Sequence, residues 1–534
     1  IVTANIESDQ PTVSGFTLKN IEELEVRSYT ADANQGVGGV TLGLVNVDQS
    51  LRTVFSTKST GDITLNAVNN GQGVTGLVDL DLTGNGATGT TVTVNYTAAA
   101  SNSPTDIQNI KLDNFGEANP QRGVVAVNGV SQADITTYHV PANALDTKDG
   151  SVVTLVGNQF TTVNATGDQK LNLIVDADGL VSKTANVIDE YGHSEYANLA
   201  NALTKVNAAT LTDSFTFNLG VNSQALLITG STAATNAIDA HQATGNVTVT
   251  GGAVNDWIST GFGNDNLTGG TGNDTLDSGS GNDSIVAGEG DDMVIFNVPN
   301  DTRAGLTVAD TVDGGLGNDT LVIDGNLAAP GTIALDSSEW TNVKGFETIK
   351  VVNAGVGSNY RLTLTDTLVD NNAQAGLLNI VNDNDAANDA AGGADTAGST
   401  AESPLVIDAR SLTPGRSFTY NGEEGASRTA DRFIMSDVSL NSSPIIDGGV
   451  ANNNPTAQPL SQANTDVLEV RNGVQVTVGD LTNIKNVGVL ELSSDLVAAQ
   501  TVIVQLSDAV VDSMVDSYRP SSAGNVERLT VRAL

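Results

Sequence analysis

The sequence predicts an all-β chain organised around a parallel β-roll and flanked by further β-solenoid or β-sandwich segments. Three observations predict it. From Gly251 to Ile323 the chain repeats every nine residues: GGAVNDWIS, TGFGNDNLT, GGTGNDTLD, SGSGNDSIV and AGEGDDMVI, then the eroded blocks FNVPNDTRA and GLTVADTVD, then GGLGNDTLV. Residues 1–250 carry short alternating apolar runs separated by Gly and Asn turns, the period-2 signature of half-buried strands. Strands opened by Asn recur as NVKGFETIKVV from Asn342 and NIKNVGVLEL from Asn483, and as NIEELEVR from Asn20 and NVERLTVR from Asn525.

In the nine-residue frame the sixth position is Asp256, Asp265, Asp274, Asp283, Asp292, Asp301, Asp310 and Asp319. The eighth is Ile258, Leu267, Leu276, Ile285, Val294, Arg303, Val312 and Leu321. Each block therefore reads as a Gly-rich turn followed by a very short strand. Glycine permits the tight turn with positive φ, the eighth-position aliphatic points into a thin core, and Asp carboxylates with turn carbonyls form an all-oxygen cage for a hard cation. A Gly/Asn/Asp-rich linker would not place an aliphatic side chain every nine residues.

These tandem blocks resemble the RTX, or haemolysin-type, calcium-binding repeat G-G-x-G-x-D-x-U-x. The resemblance implies Ca2+ as the cofactor, two blocks to a coil, and calcium between stacked coils. One edge would be Asp256, Asp274, Asp292 and Asp310, and the other Asp265, Asp283, Asp301 and Asp319. The implied metal-binding set is Asp256, Asp265, Asp274, Asp283, Asp292 and Asp319 with the turn residues Gly261, Gly263, Gly270, Gly272, Gly279, Gly281, Gly288 and Gly290. Asp256 is kept although Val254 stands where its second turn glycine should be. Asp301 and Asp310 are left out, because blocks 296–304 and 305–313 lack most turn glycines and Arg303 replaces a core residue.

Composition bounds the rest. The 534 residues allow several domains or one elongated solenoid, and the expected division is 1–250 as a β-rich domain with one short helix, 251–325 as the roll, and 326–534 as a solenoid-like domain with excursion loops. Lys and Arg number 23 against 62 Asp and Glu, a formal charge of −39, which argues against binding nucleic acid or an anionic membrane and makes cations the natural partners. With no cysteine there is no disulfide, so calcium would take the stapling role. No apolar run reaches the roughly 18 residues of a membrane span. The opening IVTANIESDQ has neither an initiator Met nor a signal peptide, which suggests a processed or trimmed start. Proteins of the resembling family generally leave through a type I exporter.

Along the chain, LVDLDLT from Leu77 and TVTVNY from Thr91 look like two strands of a hairpin. Further strands are expected at LNLIVD from Leu171, FTFNL from Phe215, ALLIT from Ala225 and NVTVT from Asn246. Tyr196, Leu199, Leu203 and Val206 recur at helical spacing, which predicts an amphipathic helix over 194–206 with Ser194 as its N-cap. The Asn-opened strands are either coils of one solenoid or similar edge strands of separate sandwiches. DTLVIDGN from Asp319 and DVLEVRNG from Asp466 precede the two middle copies. Excursion loops are expected at 382–403 and 448–465.

Catalytic constellations are missing from the sequence. The histidines, His139, His193 and His241, lie far apart and make no His-Glu-x-x-His motif. GHSEY from Gly192 lacks the closing glycine of a nucleophile elbow. The chain is therefore read as a non-enzyme. Trp257 is either a contact residue or a cover for the short edge of the roll. A large, acidic, cysteine-free β-protein with such coils resembles the RTX-type surface-layer proteins of Gram-negative bacteria. That likeness implies an extracellular structural protein of the bacterial cell surface, self-assembling with calcium into a two-dimensional lattice and in contact with cell-surface polysaccharide. The alternative is a calcium-dependent adhesin or biofilm-matrix protein.

Overall fold

The fold was analysed in a computed structural model, which describes residues 3–8, 12–13, 19–28, 39–44, 50–57, 59, 61–68, 77–84, 90–96, 106–115, 123–128, 130–139, 150–157, 159–176, 187–188, 194–195, 202–297, 305–325, 332–352, 359–373, 377–382, 404–422, 431–448, 466–471, 475–493, 503–514 and 529–533. They belong to two compact units, Ile1–Ser278 and Gly279–Leu534.

The first unit is a parallel β-solenoid whose chain alternates between two sheets. One sheet passes through Asp79–Thr83, Ile107–Asp113, Gln132–Thr137, Thr162–Gly167, Lys205–Leu211, Leu226–Thr229, Val247–Gly252 and Asn266–Thr271, each strand pairing in parallel with the next. The other passes through Asp62–Val68, Thr91–Tyr96, Gly123–Asn128, Ser151–Val156, Leu171–Asp176, Phe215–Leu219, Asn236–Asp239, Trp257–Ser259 and Thr275–Asp277. Alternation along each strand sends every second side chain inward, so the registers build ladders of like residues. Ile228, Val249 and Leu267 form one buried ladder and Phe217, Ile238, Ile258 and Leu276 another.

In the second unit the coil acquires another sheet. Val294, Leu321, Ile349, Ile380, Tyr420, Ile446 and Ile484 stack in one ladder, while Leu335, Leu362, Ile407, Phe433, Leu468 and Leu490 stack in the added one. Short helices Asp366–Asn372, Asp437–Leu440 and Asp508–Met514 lie among these strands, the first capped by the Thr365 side chain accepting the Leu368 N–H. The Asn-opened segments contribute Thr348–Val352 and Val489–Ser493, both paired in parallel with neighbouring coils, so they are solenoid coils and not sandwich edges.

Two local expectations need correction. Asp79–Thr83 and Thr91–Tyr96 are strands, but they lie in different sheets and pair with coils before and after them, so they form no hairpin. The described parts of 194–206 are not helical: Ser194–Glu195 pairs antiparallel with Val187–Ile188, and Lys205–Leu211 is a strand. Leu203, just before that strand, and Val206, within it, are both fully buried. Tyr196, Leu199, His193, Asp301, Arg303 and residues 383–403 and 449–465 lie outside the described residues. Strand pairing runs through both expected domain edges, since Val247–Gly252 pairs with strands on either side of it and Thr320–Asp324 pairs with Thr348–Val352.

Candidate metal centre

Within the repeat the eighth-position residues Ile258, Leu267, Leu276, Ile285, Val294, Val312 and Leu321 are all fully buried. Seven of the eight turn glycines named above take φ between +73° and +153°, and Gly261 is the exception. Gly261 is required for closeness instead, because a Cβ there would sit 2.3 Å from the His241 carbonyl oxygen and 2.4 Å from that of Ala243.

The aspartates form a ladder of caps. Asp256 Oδ1 accepts the Asn236 N–H at 2.7 Å, Asp265 Oδ1 the Val247 N–H at 2.7 Å, and Asp274 Oδ1 the Asp256 N–H at 2.8 Å. In the second unit Asp310 Oδ1 accepts the Asp283 N–H and Asp319 Oδ1 the Asp292 N–H, both at 2.8 Å. Asp256, Asp265, Asp274, Asp283, Asp292, Asp310 and Asp319 are each no more than 3 % exposed. In these five caps one carboxylate oxygen satisfies a backbone N–H of the neighbouring coil, as a helix cap would, and the surroundings of the second oxygen differ from site to site.

Where that second oxygen goes separates the sites. Asp310 Oδ2 accepts the Thr307 N–H at 2.7 Å and its hydroxyl at 3.0 Å, so the protein itself supplies the donors. Asp256 Oδ2 and Asp319 Oδ2 are buried and accept no hydrogen bond. Burial pushes both carboxyls up to about 6, and at Asp319 the nearby carboxylates of Asp292, Glu347 and Asp291 add to the rise. Beside each stands a backbone carbonyl. A Cβ on Gly251 would lie 2.3 Å from Asp256 Oδ2 and 2.5 Å from the Gly269 oxygen; one on Gly314 would lie 2.1 Å from the Gly345 oxygen and 2.9 Å from Asp319 Oδ2. Among the described residues no three Asp, Glu or His side chains converge on a point. An ion here would be held by carbonyl oxygens with one or two carboxylates, the hard-oxygen donor set that suits calcium.

The expected stacking register holds for Asp256 and Asp274, 18 residues apart, and changes in the second unit. There the step is 27 residues, so Asp283 stacks on Asp310 and Asp292 on Asp319. Each pair is thus nine residues further apart than in the first unit, and block 296–304, between them in sequence, has Pro299 and no turn glycine.

Carboxylate caps also occur where the nine-residue frame does not reach. Asp319 donates its N–H to Glu347 Oε2 at 2.9 Å, Asp431 Oδ1 accepts the Leu405 N–H at 2.8 Å, and Asp466 Oδ1 accepts the Asp431 N–H at 2.9 Å. The Tyr420 hydroxyl donates to Asp431 Oδ2, as Thr307 does to Asp310. The resemblance between DTLVIDGN and DVLEVRNG was the trace of this in the sequence, since Asp319 and Asp466 are both caps. Of the other singled-out residues, Trp257 is half-buried in its strand, His241 Nδ1 pairs with Asp239 at 2.5 Å, and His139 lies 3.5 Å from Asp113.

A family model, described as the RTX calcium-binding nonapeptide repeat, matches residues 243–267, 259–294 and 307–322. The chain carries an RTX calcium-binding region. Its repeats bind calcium, and the parallel β-solenoid is the architecture in which they do so. The RTX match ends at residue 322, short of Glu347, Asp431 and Asp466. No curated protein and no solved structure matches the chain. No described helix is long and apolar enough to cross a membrane.

Proposed function

We propose that this RTX protein is an exported structural protein of the bacterial cell surface, an S-layer subunit that assembles into a calcium-dependent two-dimensional lattice. The observation that carries the reading is the pair of buried, unsatisfied carboxylate oxygens of Asp256 and Asp319 in a chain of net charge −39. Such a fold is built to be completed by a divalent ion. Asp256, Asp265 and Asp274 would hold calcium in the first unit and Asp283, Asp292 and Asp319 in the second, with carbonyls such as those of Gly269 and Gly345. The ion neutralises carboxylates that would otherwise repel one another in a buried setting, at a cost of about 4 kcal/mol per 4 Å pair at an effective dielectric of 20.

The roll offers one aliphatic per nine residues, worth about 1.5–3 kcal/mol when buried, against backbone entropy of roughly 1–2 kcal/mol for every residue ordered. Calcium binding then supplies folding energy. Affinities of about 10⁻⁴ to 10⁻³ M, typical of extracellular modules, would leave the region unfolded before export and fold it afterwards. Negative-stain micrographs of the purified chain in millimolar calcium should show regular sheets that disperse with chelator, and a monomer under both conditions rules the lattice out.

The adhesin reading has its own support. In the first unit Asp79, Asn109, Asp134, Asn164, Asn207, Thr229, Thr250 and Thr268 stand in register on eight successive coils, at outward-facing positions of one sheet. Asn109 donates to Asp79 and Asn164 to Asp134, both at 2.8 Å, which fixes part of the row. A file of amides, hydroxyls and two carboxylates is suited to the hydroxyls of a cell-surface polysaccharide, and a glycan array with calcium present tests it.

A further inference from the structure

The RTX match stops at residue 322, yet the coil that follows presents a carboxylate at the same structural position as the ladder aspartates. Glu347 Oε2 accepts the Asp319 N–H at 2.9 Å, the relation that Asp274 Oδ1 has to the Asp256 N–H. Asp319 and Glu347 sit opposite each other, one residue before the paired Thr320 and Thr348. The sequence hides the likeness: a Gly-Phe-Glu turn replaces the Gly-rich turn and Asp, and the step is 28 residues.

Two oxygens border Gly314 there, beside the capping Glu347. Asp319 Oδ2 is buried, on a residue 1 % exposed, and accepts no hydrogen bond. The Gly345 carbonyl bears on the same glycine, Gly314, that Asp319 Oδ2 overhangs. Glu347 has a second oxygen besides the one that caps Asp319. The turn that presents these groups is held rigidly from behind: Gly345, at φ +76°, donates its N–H to the Asn371 carbonyl at 3.0 Å, and Phe346 donates to Asn372 Oδ1 at 3.1 Å. Asn372, 3 % exposed, in turn donates to the Val343 carbonyl at 3.1 Å. The end of the helix Asp366–Asn372 therefore fixes the carbonyl that faces Asp319.

We infer that Glu347 is a calcium ligand, closing with Asp319 and the Gly345 carbonyl a site at the end of the roll that the nonapeptide pattern does not contain. A glutamate serves because its extra methylene lets one oxygen keep the backbone cap while the other reaches the ion. The lone cap role is the competing explanation, and chemistry separates the two: glutamine can still accept the Asp319 N–H but brings no charge to a cation.

The test counts calcium on the full chain. Equilibrium dialysis with elemental analysis at saturating calcium should find one ion fewer per chain in Glu347→Gln than in the wild type, with far-UV dichroism unchanged. Glu339→Gln, at a half-buried position of the single-turn helix Glu339–Asn342, should lose none. An unchanged count and midpoint in Glu347→Gln overturns the inference. Should the variant fail to fold, carbodiimide labelling of the wild type decides. Calcium, but not sodium at equal ionic strength, should protect Glu347 while Glu339 stays reactive; equal labelling of Glu347 with and without calcium overturns the site.

Discussion

At the scale of residues the fold divides its buried carboxylates by who satisfies the second oxygen. Asp310 is served by Thr307 and Asp431 by Tyr420, whereas Asp256 and Asp319 wait for an ion. Asp256→Asn should therefore remove a calcium site and Asp310→Asn should leave the number of bound ions unchanged, as counted by the same dialysis. The pH dependence follows with a definite sign. Asp256 and Asp319 have folded values of about 6, above the ordinary 3.8, so the metal-free fold binds more protons than the unfolded chain in that interval. Stability of the metal-free protein must then fall as pH rises from about 4 to 6. Asp408 acts the other way and in another window: burial pushes it up, but hydrogen bonds and charge from Arg410 and Arg361 hold it below the usual range, so its contribution is lost only as pH falls below about 4. In calcium-depleted buffer the roll, unfolded at pH 7, should therefore regain part of its far-UV dichroism at pH 4.5, where protons neutralise Asp256 and Asp319. In saturating calcium the order should reverse, because protons and calcium compete for the same oxygens. Calcium-free dichroism that grows steadily from pH 4.5 to 7 defeats this account.

At the scale of elements the coil depends on glycines that let neighbouring turns touch. Alanine at Gly314 would place its Cβ 2.1 Å from the Gly345 carbonyl oxygen, a backbone atom that cannot step aside, while alanine at Gly43 meets nothing within 4 Å. Gly314→Ala should cost about 1–3 kcal/mol in calcium-saturated urea unfolding, as overpacking does, and Gly43→Ala should be neutral or gain a few tenths. Similar small effects at both would mean the turns do not stack as described. This is also the scale at which the sequence was partly readable. The nine-residue period specified the core side chains and the capping aspartates, since both depend on position within one block. Alternation revealed the strands at Leu171 and Phe215 but not their partners, because in a parallel solenoid the partner is a whole coil away and coil length varies. LVDLDLT and TVTVNY therefore looked like a hairpin although each joins a different sheet. Glu347, Asp431 and Asp466 escaped notice because no glycine-rich turn announces them, and only the three-dimensional stacking brings each carboxylate to the neighbouring N–H.

For the whole molecule, assembly is a question of charge. The excess of 62 acidic over 23 basic residues opposes packing copies together. Many of the described cations are already occupied within the chain: Arg432 bridges Glu469 and Glu491, Arg410 and Arg361 hold Asp408, and Arg416 holds Asp370. Arg361, Arg416 and Arg432 tie successive coils together, with Arg432 reaching carboxylates on both of the next two strands of its sheet. Contacts between copies are then short of positive charge, and a divalent ion from solution can coordinate two carboxylates at once where a monovalent ion only screens them. On the S-layer reading, light scattering should report large assemblies on adding millimolar calcium, reversal with chelator, and no assembly in sodium chloride at matched ionic strength. Assembly in sodium alone would show that screening suffices and that calcium acts only inside the coils. A calcium-loaded chain that stays monomeric at every concentration would leave the folding role of the ion intact and shift the function to the polar file on the first unit, where calcium rigidifies a binding face and joins no subunits.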